Sequence, residues 1–161
     1  LVASATPNPR LEGKVRNAFG AHFVEVEVDV ELGRARVVKY VAVHDSGRII
    51  NPLAATSQIK GAAAMGIGMA LHEDLRYDRP TGRPLTTGFY YDRIPTHHDV
   101  PDVEVEFIET DDGLGPYGAK SVGESGKALA PAAIANAVFN AIGRRMKDLP
   151  ITRDRILGAL A

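Results

Sequence analysis

Beyond Phe23 the chain alternates strictly: Val24, Val26, Val28 and Val30 fall between Glu25, Glu27 and Asp29. A period of two places the valines on one face and the acids on the other, which predicts a strand with one side buried. Glu31-Leu32-Gly33-Arg34 reads as a turn and residues 35–43 as a second strand, so the pair is expected to form an antiparallel hairpin. The same alternation returns at Val103, Val105 and Phe107 against Glu104 and Glu106, predicting a further strand. Residues 1–18 carry Pro and Asn and read as an extended lead-in.

Between these segments the pattern changes. Asn51-Pro52 has the chemistry of a helix start, and the Ala-rich stretch 53–72 predicts a long helix. Gly61, Gly66 and Gly68 interrupt it, each at roughly 0.5–1 kcal/mol against Ala. Such residues imply close approach by another backbone or a ligand, with tight helix packing as the plainer account. Residues 73–77 predict a short strand before a turn over 78–84, and 85–101 read as irregular. A glycine-dense loop over 111–126 is followed by a helix expected to open at Pro131, with Ile134, Val138, Ala141 and Ile142 on one face. A last short helix follows Pro150, with Thr152 as N-cap. The expected class is α+β: a hairpin and further strands packed with a long glycine-bearing helix and a C-terminal helix, in a single segment over 1–161.

Composition narrows the chemistry. With 19 basic and 20 acidic residues among 161, the net charge of −1 provides no field for nucleic acid or an anionic membrane. No apolar run approaches the roughly 18–20 residues of a membrane span. No basic-then-apolar leader is visible in residues 1–9, and zero cysteines fit a reducing compartment, so a cytoplasmic setting is expected. Without cysteine the chain has no disulfide, thiolate zinc site, iron–sulfur ligand or thiol nucleophile.

The loop 111–126 carries the most informative chemistry. Gly113-Leu114-Gly115-Pro116-Tyr117-Gly118 spells G-x-G-x-x-G, but a dinucleotide fingerprint also needs a helix opening inside the motif and a second strand ending in an acid. A phosphate loop needs Gly directly before Lys-Ser, and Ala119 separates Gly118 from Lys120-Ser121. What remains is Glu124, flanked by glycines just before a helix. Such a carboxylate suits a general base with room for a substrate alongside; compensation of the helix dipole explains it equally well on spacing alone. His97-His98-Asp99 reads as an exposed loop rather than a metal site, and Arg144, Arg145, Lys147, Arg153 and Arg155 as a solvated basic end. Tyr90-Tyr91 reads as packed, or as part of an interface.

An ordered set of segments then stands out: Phe19-Gly20-Ala21-His22-Phe23, His44-Asp45-Ser46-Gly47-Arg48-Ile49-Ile50-Asn51-Pro52, Gln58-Ile59-Lys60-Gly61, Gly66-Ile67-Gly68-Met69-Ala70-Leu71, Tyr91-Asp92-Arg93-Ile94-Pro95-Thr96, Gly118-Ala119-Lys120-Ser121-Val122-Gly123-Glu124, and Ala130-Pro131-Ala132-Ala133-Ile134-Ala135-Asn136-Ala137-Val138. In order and spacing they resemble the molybdenum hydroxylases, the xanthine dehydrogenase and aldehyde oxidase family, in the C-terminal part of the molybdopterin-binding large subunit. The resemblance implies an oxidoreductase that oxidises an aldehyde or N-heterocycle with water-derived oxygen. Glu124 matches the family's base, Gln58 matches an amide that bonds the molybdopterin, and Gly118, Ala119, Lys120, Ser121, Val122 and Gly123 would bring backbone near that cofactor. No side chain is assigned as a metal ligand. The resemblance also implies partners: the remainder of the molybdopterin-binding subunit, an iron–sulfur subunit and an FAD subunit, with the molybdenum cofactor shared.

Two positions depart from the family pattern. Ser125-Gly126 stands where many members have Pro-Pro, and Met65 where a second Gln is common, so xanthine is not implied as the substrate. Two other readings stand beside this one: a non-catalytic assembly subunit of the same fold, and a phosphate- or nucleotide-binding domain using the glycine loop. Because the match covers only part of a longer subunit, the chain is expected to be a fragment or one product of a split gene. Alone, it is expected to bind no molybdenum and to self-associate, with the Gln58 helix as part of the exposed contact.

Overall fold

The computed structural model describes residues 12–13, 17–111, 113 and 115–161, so most of the lead-in expected over 1–18 lies outside the described residues. Strands β1 (Phe19–Asp29) and β2 (Arg34–Asp45) form the expected antiparallel hairpin, paired from Phe19↔Asp45 to Asp29↔Arg34. Asp29 Oδ1 closes the turn by accepting the amides of Glu31 (3.0 Å) and Leu32 (2.9 Å). The hairpin is longer than 23–43 because β1 begins at Phe19 with a polar residue, His22, on its inward face, which hides the alternation. A bulge at Glu25/Val26 lets Val37 and Tyr40 of β2, an odd number of positions apart, both face the core.

Helix α1 (Pro52–Leu71) begins as its sequence predicts: Asn51 Oδ1 accepts the Ala54 amide at 3.0 Å, and Pro52 occupies the first turn, where its missing N–H has no partner to lose. Strand β3 (Val103–Phe107) then pairs parallel to β2, from Tyr40↔Val103 to His44↔Phe107. The sheet order is β1-β2-β3, and α1 is the crossover of a single β-α-β unit inside an α+β fold. That parallel pair was not anticipated by the α+β expectation.

Two expectations are corrected. Residues 73–77 form no strand; Tyr77 makes only an isolated bridge to Pro84 across its own turn, and no neighbouring strand satisfies the rest of the segment's backbone. Helix α2 (Glu124–Ile142) opens at Glu124 rather than at Pro131, which lies inside it. An interior proline removes one helical bond and commonly costs about 3 kcal/mol. Here that turn is buried against α1, where Ala130 packs on Gly66 and Gly126 packs on Ile59 and Ala62. Helix α3 (Arg153–Leu160) follows Pro150 as expected; Thr152 stands at its N-cap position, but its side chain makes no capping bond.

Both long helices cover one face of the sheet. Tyr40, Ala42, Ile59, Ala63, Ile67 and Ile134 form the main core, and Val138, Ile151 and Ile156 a second cluster beneath α3. Among the described residues, no helix is long and apolar enough to cross a membrane.

Candidate functional site

The connections β2→α1 and β3→α2 both leave the carboxyl ends of parallel strands, where crevices of open sheets commonly receive ligands. A groove of about 530 Å³ lies between the two helices that follow. On α1 it is lined by Ala54, Ser57, Gln58, Gly61, Ala62 and Met65, one stripe at i, i+3, i+4 and i+7 spacing. On the α2 side it is lined by Gly123, Glu124 and Lys127. Gln58 and Glu124, far apart in the chain, thus meet in one groove. Glu124 Oε2 lies 3.1 Å from Lys127 Nζ, and its side chain is 86% exposed, so this i,i+3 pair is weak and readily exchanged for another partner.

The glycines divide by what surrounds them. A Cβ at Gly66 would stand 2.2 Å from the Ala130 Cβ, and one at Gly126 would stand 2.9 Å from the Ala62 Cβ, so these two bring the helices together. Gly68 is enclosed by Glu73 and Pro95. Gly61 and Gly123, both on the groove, have nothing within 4 Å of a built Cβ. Packing among the described residues therefore explains Gly66 and Gly68 and leaves Gly61 without an internal reason.

The rest of the expected site stretch lies beside the groove. Gly118 O accepts the Arg48 amide (2.9 Å), the Lys120 amide donates to Ser46 O (2.8 Å), and Ala119 bridges Gly47. Gly47 has φ +66°, and a Cβ there would stand 2.3 Å from Gly118 O, so only glycine suits this crossing. The Lys120 side chain turns inward, 5% exposed, with Nζ 2.9 Å from Asp45 Oδ1 and donating to Thr110 Oγ1 at 3.0 Å. Thr110 Oγ1 in turn donates to Asp45 Oδ1 at 2.8 Å. Burial pushes the Asp45 carboxyl up, but the Gly47 amide, Lys120 and Thr110 outweigh it and hold the group below its ordinary value. Val122 packs on the core, and Ser121 is exposed. The glycines of the two nucleotide motifs open no α-helix: Gly115 leads only into a single 3-10 turn at Pro116–Gly118, and α2 starts at Glu124 after Gly123, so neither motif acquires its helix N-terminus.

Sequence reasoning missed two sets of residues. Ser57 and Lys127 share the groove; helical spacing from Gln58 and Glu124 would have found them. The second set lies in the sheet, with Tyr40 and His44 fully buried and His22 half-buried. His22 Nδ1 lies 2.6 Å from the Tyr40 hydroxyl, and His22 Nε2 lies 2.8 Å from His44 Nε2. Burial, with His44 nearby, lowers the His22 pKa to about 4; burial alone lowers that of His44 and raises that of Tyr40. Their shared parity on the inward faces of β1 and β2 was the available signal.

Elsewhere, His97 and His98 are exposed in a turn whose Asp99 Oδ2 accepts from Thr96. Tyr90 and Tyr91 are 87% and 62% exposed, so they pack on no described core. A larger hollow of about 900 Å³, between the end of α1, residues 85–99 and the start of α3, contains none of the expected site residues and mixes Arg34, Arg76 and Arg93 with Asp74 and Asp99.

The sequence profile of the molybdopterin cofactor-binding domain matches residues 5–101. The chain belongs to this family. The matched stretch contains Gln58, and Glu124 lies beyond it. The chain is 44% identical over 146 residues to the aldehyde oxidoreductase molybdenum-binding subunit PaoC of Escherichia coli (strain K12), covering 90% of this chain and 20% of that one. It is 40% identical over 143 residues to the nicotine 6-hydroxylase large subunit of Paenarthrobacter nicotinovorans, covering 87% and 17%. Its fold superposes on the crystal structure of quinoline 2-oxidoreductase from Pseudomonas putida 86 with a TM-score of 0.82 and 38% identity, covering 88% of this chain and 18% of that one. The molybdopterin-domain chain thus spans about a fifth, or less, of the length of these relatives.

The groove fits a molybdopterin group on its own chemistry. Gln58 presents an amide with two donors and an acceptor, which matches a pterin edge. Gly61 and Gly123 leave room where side chains would intrude, and Glu124 adds a carboxylate whose present partner is a surface lysine.

Proposed function

We propose that this molybdopterin-domain chain is the C-terminal portion of the molybdenum-binding subunit of a molybdenum hydroxylase, with Glu124 as the general base and Gln58 as the residue that holds the pterin. The observation that carries this reading is the meeting of Gln58 and Glu124 in one groove. When bound, the molybdenum–pterin group supplies oxygen insertion and accepts two electrons from the substrate carbon. The chain's own part is positioning and proton transfer. Gln58 would bond the pterin edge through its amide, the backbone of Gly118, Ala119, Lys120, Ser121, Val122 and Gly123 would come near the cofactor, and Gly61 and Gly123 would admit its bulk. Glu124 would accept, at a carboxylate oxygen, the proton given up when the bound group inserts oxygen into the substrate. The substrate class is an aldehyde or N-heterocycle, in keeping with the names of the relatives.

Catalysis in this reading needs the remainder of the subunit to close the open side of the groove. It also draws on an iron–sulfur subunit and an FAD subunit to carry electrons away, and these 161 residues hold no cysteine to ligate an iron–sulfur cluster themselves. The assembly works in the cytoplasm. Metal analysis and pterin fluorescence on the complete complex test the proposal. Stoichiometric molybdenum with pterin is expected. Neither signal would favour a non-catalytic assembly subunit, and tight nucleotide binding without molybdenum would favour a nucleotide domain.

A further inference from the structure

We propose that Lys120 is a positioning residue: its buried ammonium, locked to Asp45 and Thr110, pins the 118–123 loop to the carboxyl ends of β2 and β3 and so sets where Gly123 and Glu124 stand relative to Gln58. The inference rests on the functional reading above for what Glu124 does, but the clamp itself rests on geometry. The Lys120 side chain is 5% exposed and the Asp45 side chain 19%, against 34% and 86% for the Lys127–Glu124 pair at the groove. Asp45 ends β2, and Thr110 follows β3, so the ammonium joins both parallel strands to the loop between them and α2. Asp45 Oδ1 receives the Gly47 amide (3.0 Å), the Thr110 hydroxyl (2.8 Å) and Lys120 Nζ (2.9 Å). Around this centre the backbone crosses twice, through Arg48 N to Gly118 O and Lys120 N to Ser46 O. Glu124 is only four residues beyond Lys120, and it is exposed, so no burial of its own fixes its place. The inward-facing side chain also means that Lys120 brings backbone, rather than its charge, toward the cofactor groove.

A charge this buried has a distinctive mutational signature. Lys120→Met takes the cation away from the Asp45 carboxylate and Asp45→Asn takes the anion away from the ammonium, whereas the double variant removes both charges of the pair together. The variants Lys120→Met, Asp45→Asn, the double variant and Lys120→Arg would be made in the complete subunit within its complex. Each would be assayed for molybdenum content, kcat, KM and hydrogen exchange of residues 115–123. Each single loss is expected to lower kcat at least tenfold while KM and molybdenum content stay within twofold, and to speed exchange in the loop but not in the β1–β2 hairpin. The double variant should be no worse than either single one, and Lys120→Arg should restore part of kcat. Loss of molybdenum in Lys120→Met with none in Asp45→Asn would overturn the proposal in favour of direct cofactor contact. Unchanged exchange and kcat in both would also overturn it. Should a single variant fail to fold, the charge-balanced double variant and Lys120→Arg carry the same test, since loop exchange and kcat at the wild-type level in the double variant would overturn the clamp. A wild-type complex without molybdenum would sink the functional reading, and the exchange comparison would still decide the clamp.

Discussion

The Ala130 Cβ stands where a Cβ on Gly66 would have to go, with only 2.2 Å between them. This contact fixes how closely α2 approaches α1, and the groove opens alongside it. Gly66→Ala should therefore force the helices apart, destabilising the subunit by roughly 1–3 kcal/mol, as overpacking of a tight core commonly does. Thermal unfolding of the complete subunit checks this, and an unchanged midpoint would remove the contact from the packing that sets the groove.

Gly61 provides the opposite case on the same helix. Nothing lies within 4 Å of a Cβ built there. On propensity alone, Gly61→Ala should stabilise α1 by about 1 kcal/mol. In the proposed site the added methyl enters the space that receives the cofactor, so molybdenum content should fall while the helix gains protection from hydrogen exchange. A stabilised helix with full molybdenum would place the cofactor away from Gly61.

Glu124→Gln preserves shape and removes the proton acceptor. Loss of a general base typically costs about 10²–10⁴-fold in rate. The variant complex should keep its molybdenum and lose turnover on that scale, measured with an artificial electron acceptor. Near-normal turnover at full loading would take Glu124 out of the mechanism.

For Gln58 the expected loss is in binding. Gln58→Ala would leave buried polar atoms of the pterin without partners, at about 1–3 kcal/mol. Molybdenum content, or activity per molybdenum, should fall while the subunit still folds. If neither changes, Gln58 is only an exposed amide on α1.

Local pattern made the hairpin, β3 and α1 legible: a period of two in the strands, and an Asn51-Pro52 start followed by an Ala-rich run in the helix. It failed at Pro131, where proline chemistry predicts a helix start and packing against Gly66 carries the helix through instead. It failed at residues 73–77, where local propensity finds no second strand to pair with. Spacing singled out Glu124 and the resemblance singled out Gln58, but their meeting in one groove depends on the parallel pairing of β2 and β3, which no local pattern encodes. The buried contacts of Lys120 were hidden for the same reason: Asp45 and Thr110 approach it only after the sheet forms.

The histidine pair in the sheet should make the hairpin sensitive to acid. His22 is bonded to Tyr40 and His44 and titrates at about 4 in the fold, against 6.5 for a free imidazole. Between those values the unfolded chain takes up a proton that the native site refuses, so stability falls as pH drops through the window and levels off below it. His44, also lowered by burial, acts in the same direction. Protection of β1 and β2 amides in the complete complex should thus be weaker at about pH 5 than at about pH 7.5, after correction for intrinsic exchange rates. Replacing His22 with Gln removes one of the two titrating rings, and the difference between the two pH values should shrink. Equal protection at both, or an undiminished difference in His22→Gln, would show that the pair stays neutral at no cost to the hairpin.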